Sequence, residues 1–274
     1  MSVKKIGIIY NNEQNCYLAN MLSDNNVVRI CGSGNNNFNL KKNVIFDSLE
    51  NTIINSKYII FSISVPDEVL ETIRKKHVDL LKDKIVFSRK MDFLNNKKII
   101  LKDYFNDANF KILNGLTTSE AAISIVIKET IKILSKSKCL VIGFGNIGKI
   151  LSSLLKKLGA EVAVSARKNT DFAWAEAFNY EILNTENLPN LNKFDAIFNT
   201  VPKLILNKEK LSSINKNSLI IDLASKPGGT DFEFAKNINL KVIHALRLPG
   251  KFSPYTAAEI MKKVILNIIK EENL

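Results

Sequence analysis

The stretch "CLVIGFGNIGKI", Cys139–Ile150, decides how this sequence folds. Four apolar residues run into Gly143, Gly145 and Gly148, spaced G-x-G-x-x-G, and an amphipathic segment, "GKILSSLLKKLG", follows. An apolar strand, a glycine turn and a helix in that order predict a dinucleotide-binding βα turn. The three glycines do different things. Gly143 permits a tight turn, Gly145 lets backbone approach a pyrophosphate, and Gly148 allows close helix–strand packing. Asn146 and Ile147 complete the loop, and the helix N-terminus offers its free N–H groups to phosphate oxygens.

A second strand, "EVAVSA", begins about 20 residues further on, where such folds usually place an acid to accept hydrogen bonds from the ribose 2′-OH. This chain has Ser165, Ala166, Arg167 and Lys168 there. Ser165 can donate to a phosphate oxygen, Arg167 can clamp it with a planar fork, and Lys168 adds charge. The predicted cofactor is therefore NADP. Read without a ligand, Arg167 is a solvated residue at a strand end.

Working outward, "KIGIIY", "VVRIC", "YIIFSISV" and "KIVFS" read as strands, and "QNCYLANML" and "VLETIRKKHVDLL" as helices. Thr117–Leu134 reads as a longer helix opened by a capping box between Thr117 and Glu120. Beyond it come the glycine turn and the strands "FDAIFNTV", "SLIIDLA" and "LKVIHA", and "TAAEIMKKVILNIIK" closes the chain as an amphipathic helix. Strands alternating with helices predict parallel sheets. The fold class is α/β: two Rossmann-like domains with parallel sheets, joined by a long helix, with the C-terminal helix returning to the first domain. The boundaries are 1–116 for a substrate or partner domain, 117–135 for the linking helix, 136–252 for the NADP-binding domain and 253–274 for the final helix. The asparagine-rich loop at 32–43 reads as mobile and without function.

Composition narrows the function classes. Hydrophobic residues make up 46% of 274, which fits a globular protein and not a disordered one. The N-terminus reads as a first strand and not a signal peptide, and no continuous apolar run reaches the roughly 18 residues that cross a bilayer. The net charge of +12 comes mostly from lysines spread along the chain, which predicts a solvated surface and not a nucleic-acid face. Cys16, Cys31 and Cys139 are sparse and without metal-ligand spacing, and His77 and His244 are the only histidines. Reduced thiols, no metal and a cytoplasmic location are expected.

In an open α/β sheet the ligand lies beyond the carboxyl ends of the strands. Asn199, Thr200, Val201 and Pro202 end one strand, and Asp222, Ala224, Ser225 and Lys226 end the next. Asn199, Thr200, Pro202 and Ala224 are expected beside the cofactor. The "SKPGGTD" turn carries Lys226, read equally as a carboxylate anchor and as a surface lysine. Lys226, Asp222 and Glu120 are the catalytic candidates, although the capping box already accounts for Glu120. His244 reads as a packed histidine.

The segment "SLIIDLASKPGGTDFEFA", Ser218–Ala235, together with "FNTVPKLILNKEKL" and "LPGKFSPYTAAEI", resembles the A-subunit family of dipicolinate synthase. The resemblance runs from about residue 113 to the C-terminus and is faint before it. It covers Asp222 through Asp231 throughout, and Asn114, Thr118 and Glu120 match a further motif. The resemblance implies NADP-dependent oxidation of dihydrodipicolinate, or its hydrated precursor, to dipicolinate. It also implies a flavoprotein-like second subunit (the B subunit of dipicolinate synthase), an oligomer and the mother cell of a sporulating bacterium. The sequence departs from the family at "YNNEQN", at Ser88-Arg89, and at Arg247 and Ala258, where the family has glycines. Arg89 and Arg247 are thus candidate contacts to a dicarboxylate, or marks of a drifted pocket. Two other functions stay open: an NADP-dependent 2-hydroxyacid or amino-acid dehydrogenase, and a noncatalytic NADP-binding subunit.

Overall fold

Apolar residues two apart along each strand face opposite helical layers from their neighbours, and this pattern organises the computed structural model of the chain. It describes residues 3–10, 12–32, 38–62, 65–89, 91–94 and 98–274. Of the asparagine-rich loop at 32–43, residues 33–37 lie outside the described residues. The chain divides into two units, residues 1–114 with 249–274 and residues 115–248.

The first unit has six parallel strands: β1 Lys5–Ile9, β2 Val27–Cys31, β3 Val44–Asp47, β4 Tyr58–Phe61, β5 Ile85–Phe87 and β6 Ile100–Lys102, in the order β3-β2-β1-β4-β5-β6. Ile6, Ile8, Val28, Ile30 and Ile60 pack on one face with helix α1 (Glu13–Leu22). Ile9, Ile59, Phe61 and Val86 pack on the other with Ile53 of α2 (Leu49–Ile54). A sheet covered on both faces needs such apolar strands. The expected helix "VLETIRKKHVDLL" is broken into three: α3 Asp67–Thr72, a π-helical turn at Ile73–His77 and a 3-10 turn at Val78–Leu81.

The second unit repeats the plan: β7 Lys138–Ile142, β8 Glu161–Ala166, β9 Glu181–Asn184, β10 Ala196–Asn199, β11 Leu219–Asp222 and β12 Lys241–His244, in the order β12-β11-β10-β7-β8-β9. Val141, Val164, Phe198 and Ile221 face one layer, and Leu140, Ile142, Ile197 and Ile220 the other.

Helix α4 spans Ala108–Glu129, so it starts nine residues before the expected Thr117 and ends six before residue 135. Asp107 accepts from the Phe110 N–H at 2.9 Å and caps the start. Thr117 and Glu120 are therefore interior, and the capping box does not form. The boundary between the units falls inside this helix, between Asn114 and Gly115. By length and composition α4 could cross a bilayer, but 56% of its apolar window is buried in the protein, as in a core helix. The helices that follow in the second unit are α5 Asn146–Lys157, α6 Asn169–Ala177, α7 Lys208–Ser212 and α8 Phe232–Asn237. The chain ends with α9 Leu248–Phe252 and α10 Pro254–Glu271. Helix α10 packs Ala258, Met261, Val264 and Ile265 into the core of the first unit.

Candidate functional site

The turn after β7 is shaped by its glycines. Gly143 has φ +91°, and a Cβ there would lie 2.5 Å from Thr200 Oγ1 and 2.7 Å from Val201 Cγ2. A Cβ on Gly148 would lie 2.0 Å from the Gly143 carbonyl oxygen, so only glycine lets α5 sit this close to the strand. Gly145 is different: nothing lies within 4 Å of where its Cβ would be. It precedes α5 as the N-cap residue and brings no side-chain cap. The helix therefore starts in open space with its first N–H groups unclaimed by a cap.

That space continues into a cavity of about 900 Å³. Gly143, Gly145, Arg167, Lys168, Thr200 and Pro202 all line it, which brings six of the expected residues onto one wall. Asn146, Ile147 and Gly148 form the first turn of α5. Arg167 and Lys168 are exposed and make no ion pair among the described residues. Phe144, Asp171, Thr185, Leu188 and Lys203 also line the cavity, and the sequence reading missed them. Thr185 directly follows β9, a strand without a marked apolar run, and Lys203 adjoins Pro202 without a motif of its own.

Several expected residues stand elsewhere. Ser165 is fully buried, with its hydroxyl 2.9 Å from that of Thr185 and accepting from Gly143 N–H at 3.4 Å. It supports the turn from behind and does not reach the cavity. Asn199 is also fully buried: its amide donates to Asp222 Oδ1 (3.0 Å) and to the Val201 carbonyl (3.1 Å), and its Oδ1 accepts from the Val201 N–H. Thr200 donates to the Ile142 carbonyl at 2.9 Å while remaining on the wall.

Asp222 is a correction of the same kind. Its Oδ1 accepts from Asn199 and from the Ala224 N–H (3.0 Å), and its Oδ2 accepts from the Gly229 N–H (2.8 Å) and the Thr230 hydroxyl (2.7 Å). A fully buried carboxylate with four donors has no lone pair left to take a substrate proton. It fixes the 222–231 loop. Ala224 is buried, and its carbonyl is 3.0 Å from His244 Nε2, whose ring stacks on Phe232. His244 is thus a packed histidine. Lys226 is exposed at the loop's tip, off the cavity wall.

Glu120 is exposed on α4, and Arg89 is exposed after β5. Arg247 is exposed too, with φ +59°. This is the left-handed region that glycine occupies at little cost and other residues at about 1–2 kcal/mol. The three thiols are free and buried. Burial pushes Cys16 up to about 11 and Cys139 to about 12, so neither is a nucleophile at neutral pH. Among the described residues no cluster of His, Cys, Asp and Glu could hold a metal ion.

A glycine loop opening on a cavity at the carboxyl edge of a doubly wound sheet is the geometry of a dinucleotide-binding Rossmann domain. Residues 124–226 match the family model of the D-isomer specific 2-hydroxyacid dehydrogenase, NAD binding domain. The likeness to the A subunit of dipicolinate synthase is shown as well: that subunit from Bacillus subtilis (strain 168) is 34% identical over 176 residues, 64% of this chain and 59% of that one. The match thus spans about three-fifths of the curated relative. Two crystal structures share the fold. The dipicolinate synthase A subunit from Bacillus halodurans has a TM-score of 0.82 at 21% identity, covering 98% of this chain and 99% of that one. Its counterpart from Bacillus subtilis has 0.82 at 24%, covering 99% and 97%.

Proposed function

We propose that this chain is the NADP-binding subunit of a dipicolinate synthase, oxidising dihydrodipicolinate or its hydrated precursor to dipicolinate. The observation that carries the cofactor choice is the pair of exposed cations, Arg167 and Lys168, on the cavity wall where an acid would exclude a 2′-phosphate. The open space at Gly145 and the uncapped α5 N-terminus fit a pyrophosphate. The likeness to the B. subtilis protein and the match of Asp222–Asp231 to that family's loop support the choice of substrate.

When bound, the nicotinamide supplies the hydride chemistry. The chain's own part is to hold and orient. Arg167 and Lys168 take the 2′-phosphate, and Thr200 and Pro202 border the cofactor's path. Asp222 locks the loop so that Lys226 projects from its tip, where we assign it to a substrate carboxylate. With Asp222 saturated, Glu120 is the remaining carboxylate of the three candidates to accept a proton. Arg89 and Arg247 are further assignments for the dicarboxylate. A second subunit of flavoprotein type, an oligomeric assembly and the cytoplasm of a spore-forming mother cell complete the reading.

A 2-hydroxyacid dehydrogenase fits less well, because the match covers its NAD-binding domain and His244 is committed to Ala224. The test is ultraviolet detection of dipicolinate after mixing the protein, its partner subunit, NADP and fresh dihydrodipicolinate. Product formation dependent on NADP is expected. No product from a protein that still binds NADP would replace this reading with that of a noncatalytic subunit.

A further inference from the structure

Asp171 sits in the first turn of α6, on the same cavity wall as Arg167 and Lys168. A carboxylate within four residues of both cations would oppose a phosphate arriving there. It is not left alone: Lys149 Nζ lies 3.4 Å from Asp171 Oδ1. Lys149 comes from α5, one residue after Gly148, and does not itself line the cavity. Its ammonium is flanked by two rings, 5.6 Å from the Phe144 centroid and 5.7 Å from that of Trp174. Both faces favour a cation at that point. The two side chains are 34% and 24% exposed, so the pair is only partly screened by solvent.

We propose that Lys149 is a specificity-determining positioning residue: it holds and neutralises Asp171, so that this carboxylate, the one within four residues of both Arg167 and Lys168, does not compete with a 2′-phosphate for them. The proposal rests on the reading of the cavity as an NADP site. It assigns part of the selectivity to a lysine that touches no ligand and belongs to the helix of the pyrophosphate loop. The selectivity region thus extends beyond the end of β8.

The test is calorimetric titration of the full-length protein with NADP and with NAD, for wild type, Lys149→Met, Lys149→Arg and Lys149→Met/Asp171→Asn. Lys149→Met is expected to weaken NADP about tenfold and NAD by no more than about threefold. Lys149→Arg should stay near wild type. Adding Asp171→Asn to Lys149→Met should bring NADP back to within about threefold of wild type, which a merely structural role for Lys149 would not do. Equal weakening of both cofactors, or no recovery in the double variant, overturns the proposal. The reading on which it rests is overturned by a different result, a wild-type protein without preference for NADP.

Discussion

After β1 the chain passes through Tyr10 into α1, and after β7 it passes through Gly143 into α5, at the same position of the same strand order. The two turns are finished in opposite ways. In the first unit the Asn12 side chain caps α1, accepting from the Asn15 N–H at 2.8 Å. Asn15 in turn donates to the Tyr10 carbonyl and to Ser62 Oγ, 3.1 Å away. In the second unit Gly145 brings no cap and leaves its surroundings empty. One turn is satisfied by its own side chains, and the other leaves its donors for a ligand. A shared topology thus marks where a site can be; the side chains at the turn decide whether there is one. The loop fixed by Asp222 shows the closed solution a second time, inside the unit that also holds the open one.

This contrast can be broken most forcefully at Gly145. Gly145→Val should reduce dinucleotide affinity more than about a hundredfold, because the branched side chain fills the open approach to the α5 N-terminus. Circular dichroism should show the fold intact, and an unfolded variant would mean that the open turn is structural first. At Asp222 the expected loss is of stability. Asp222→Ala strands four buried donors and should cost at least about 3 kcal/mol in a urea titration. A loss of turnover with unchanged stability would return Asp222 to catalysis.

Lys226→Met should lower turnover by about one to three orders of magnitude with NADP affinity held within about twofold. Partial rescue by Lys226→Arg would locate the effect in the charge, and a loss of NADP affinity would assign the loop to the cofactor. The smallest effect belongs to the closed turn. Asn12→Ala should cost about 1 kcal/mol of stability, the usual worth of an N-cap, and leave cofactor titrations unchanged.

The sequence carried some of these elements openly and hid others. The glycine loop was legible because Gly143 and Gly148 answer steric demands that no other residue meets, and Gly145 completes the spacing between them. Strands β1, β2, β4, β5, β7, β8, β10, β11 and β12 were legible as apolar runs. Three strands were not: β3, β6 and β9 lie at sheet edges, and outer residues such as Ile45, Phe46 and Ile100 are exposed. Each is four residues long or fewer and partly solvated, with only two or three apolar residues to mark it. Helix α4 began early because Asp107 offered a cap that the Thr117–Glu120 pattern outshone in sequence. Ser165, Asn199 and Asp222 were placed at the right strand ends, yet their side chains turn inward to satisfy backbone groups. A polar residue at a strand end serves either the ligand or the loop, and its hydrogen-bond partners alone distinguish the two.

In the proposed function, the open turn and the cations beyond it select a phosphorylated dinucleotide. That selection is tested most directly by titrating wild type and Arg167→Ala with NADP and NAD in one buffer. Wild type is expected to bind NADP at least about tenfold more tightly than NAD, and Arg167→Ala to erase most of that difference by weakening NADP alone. Wild-type protein that binds NAD as tightly as NADP, or an Arg167→Ala variant that weakens both equally, would contradict that selection.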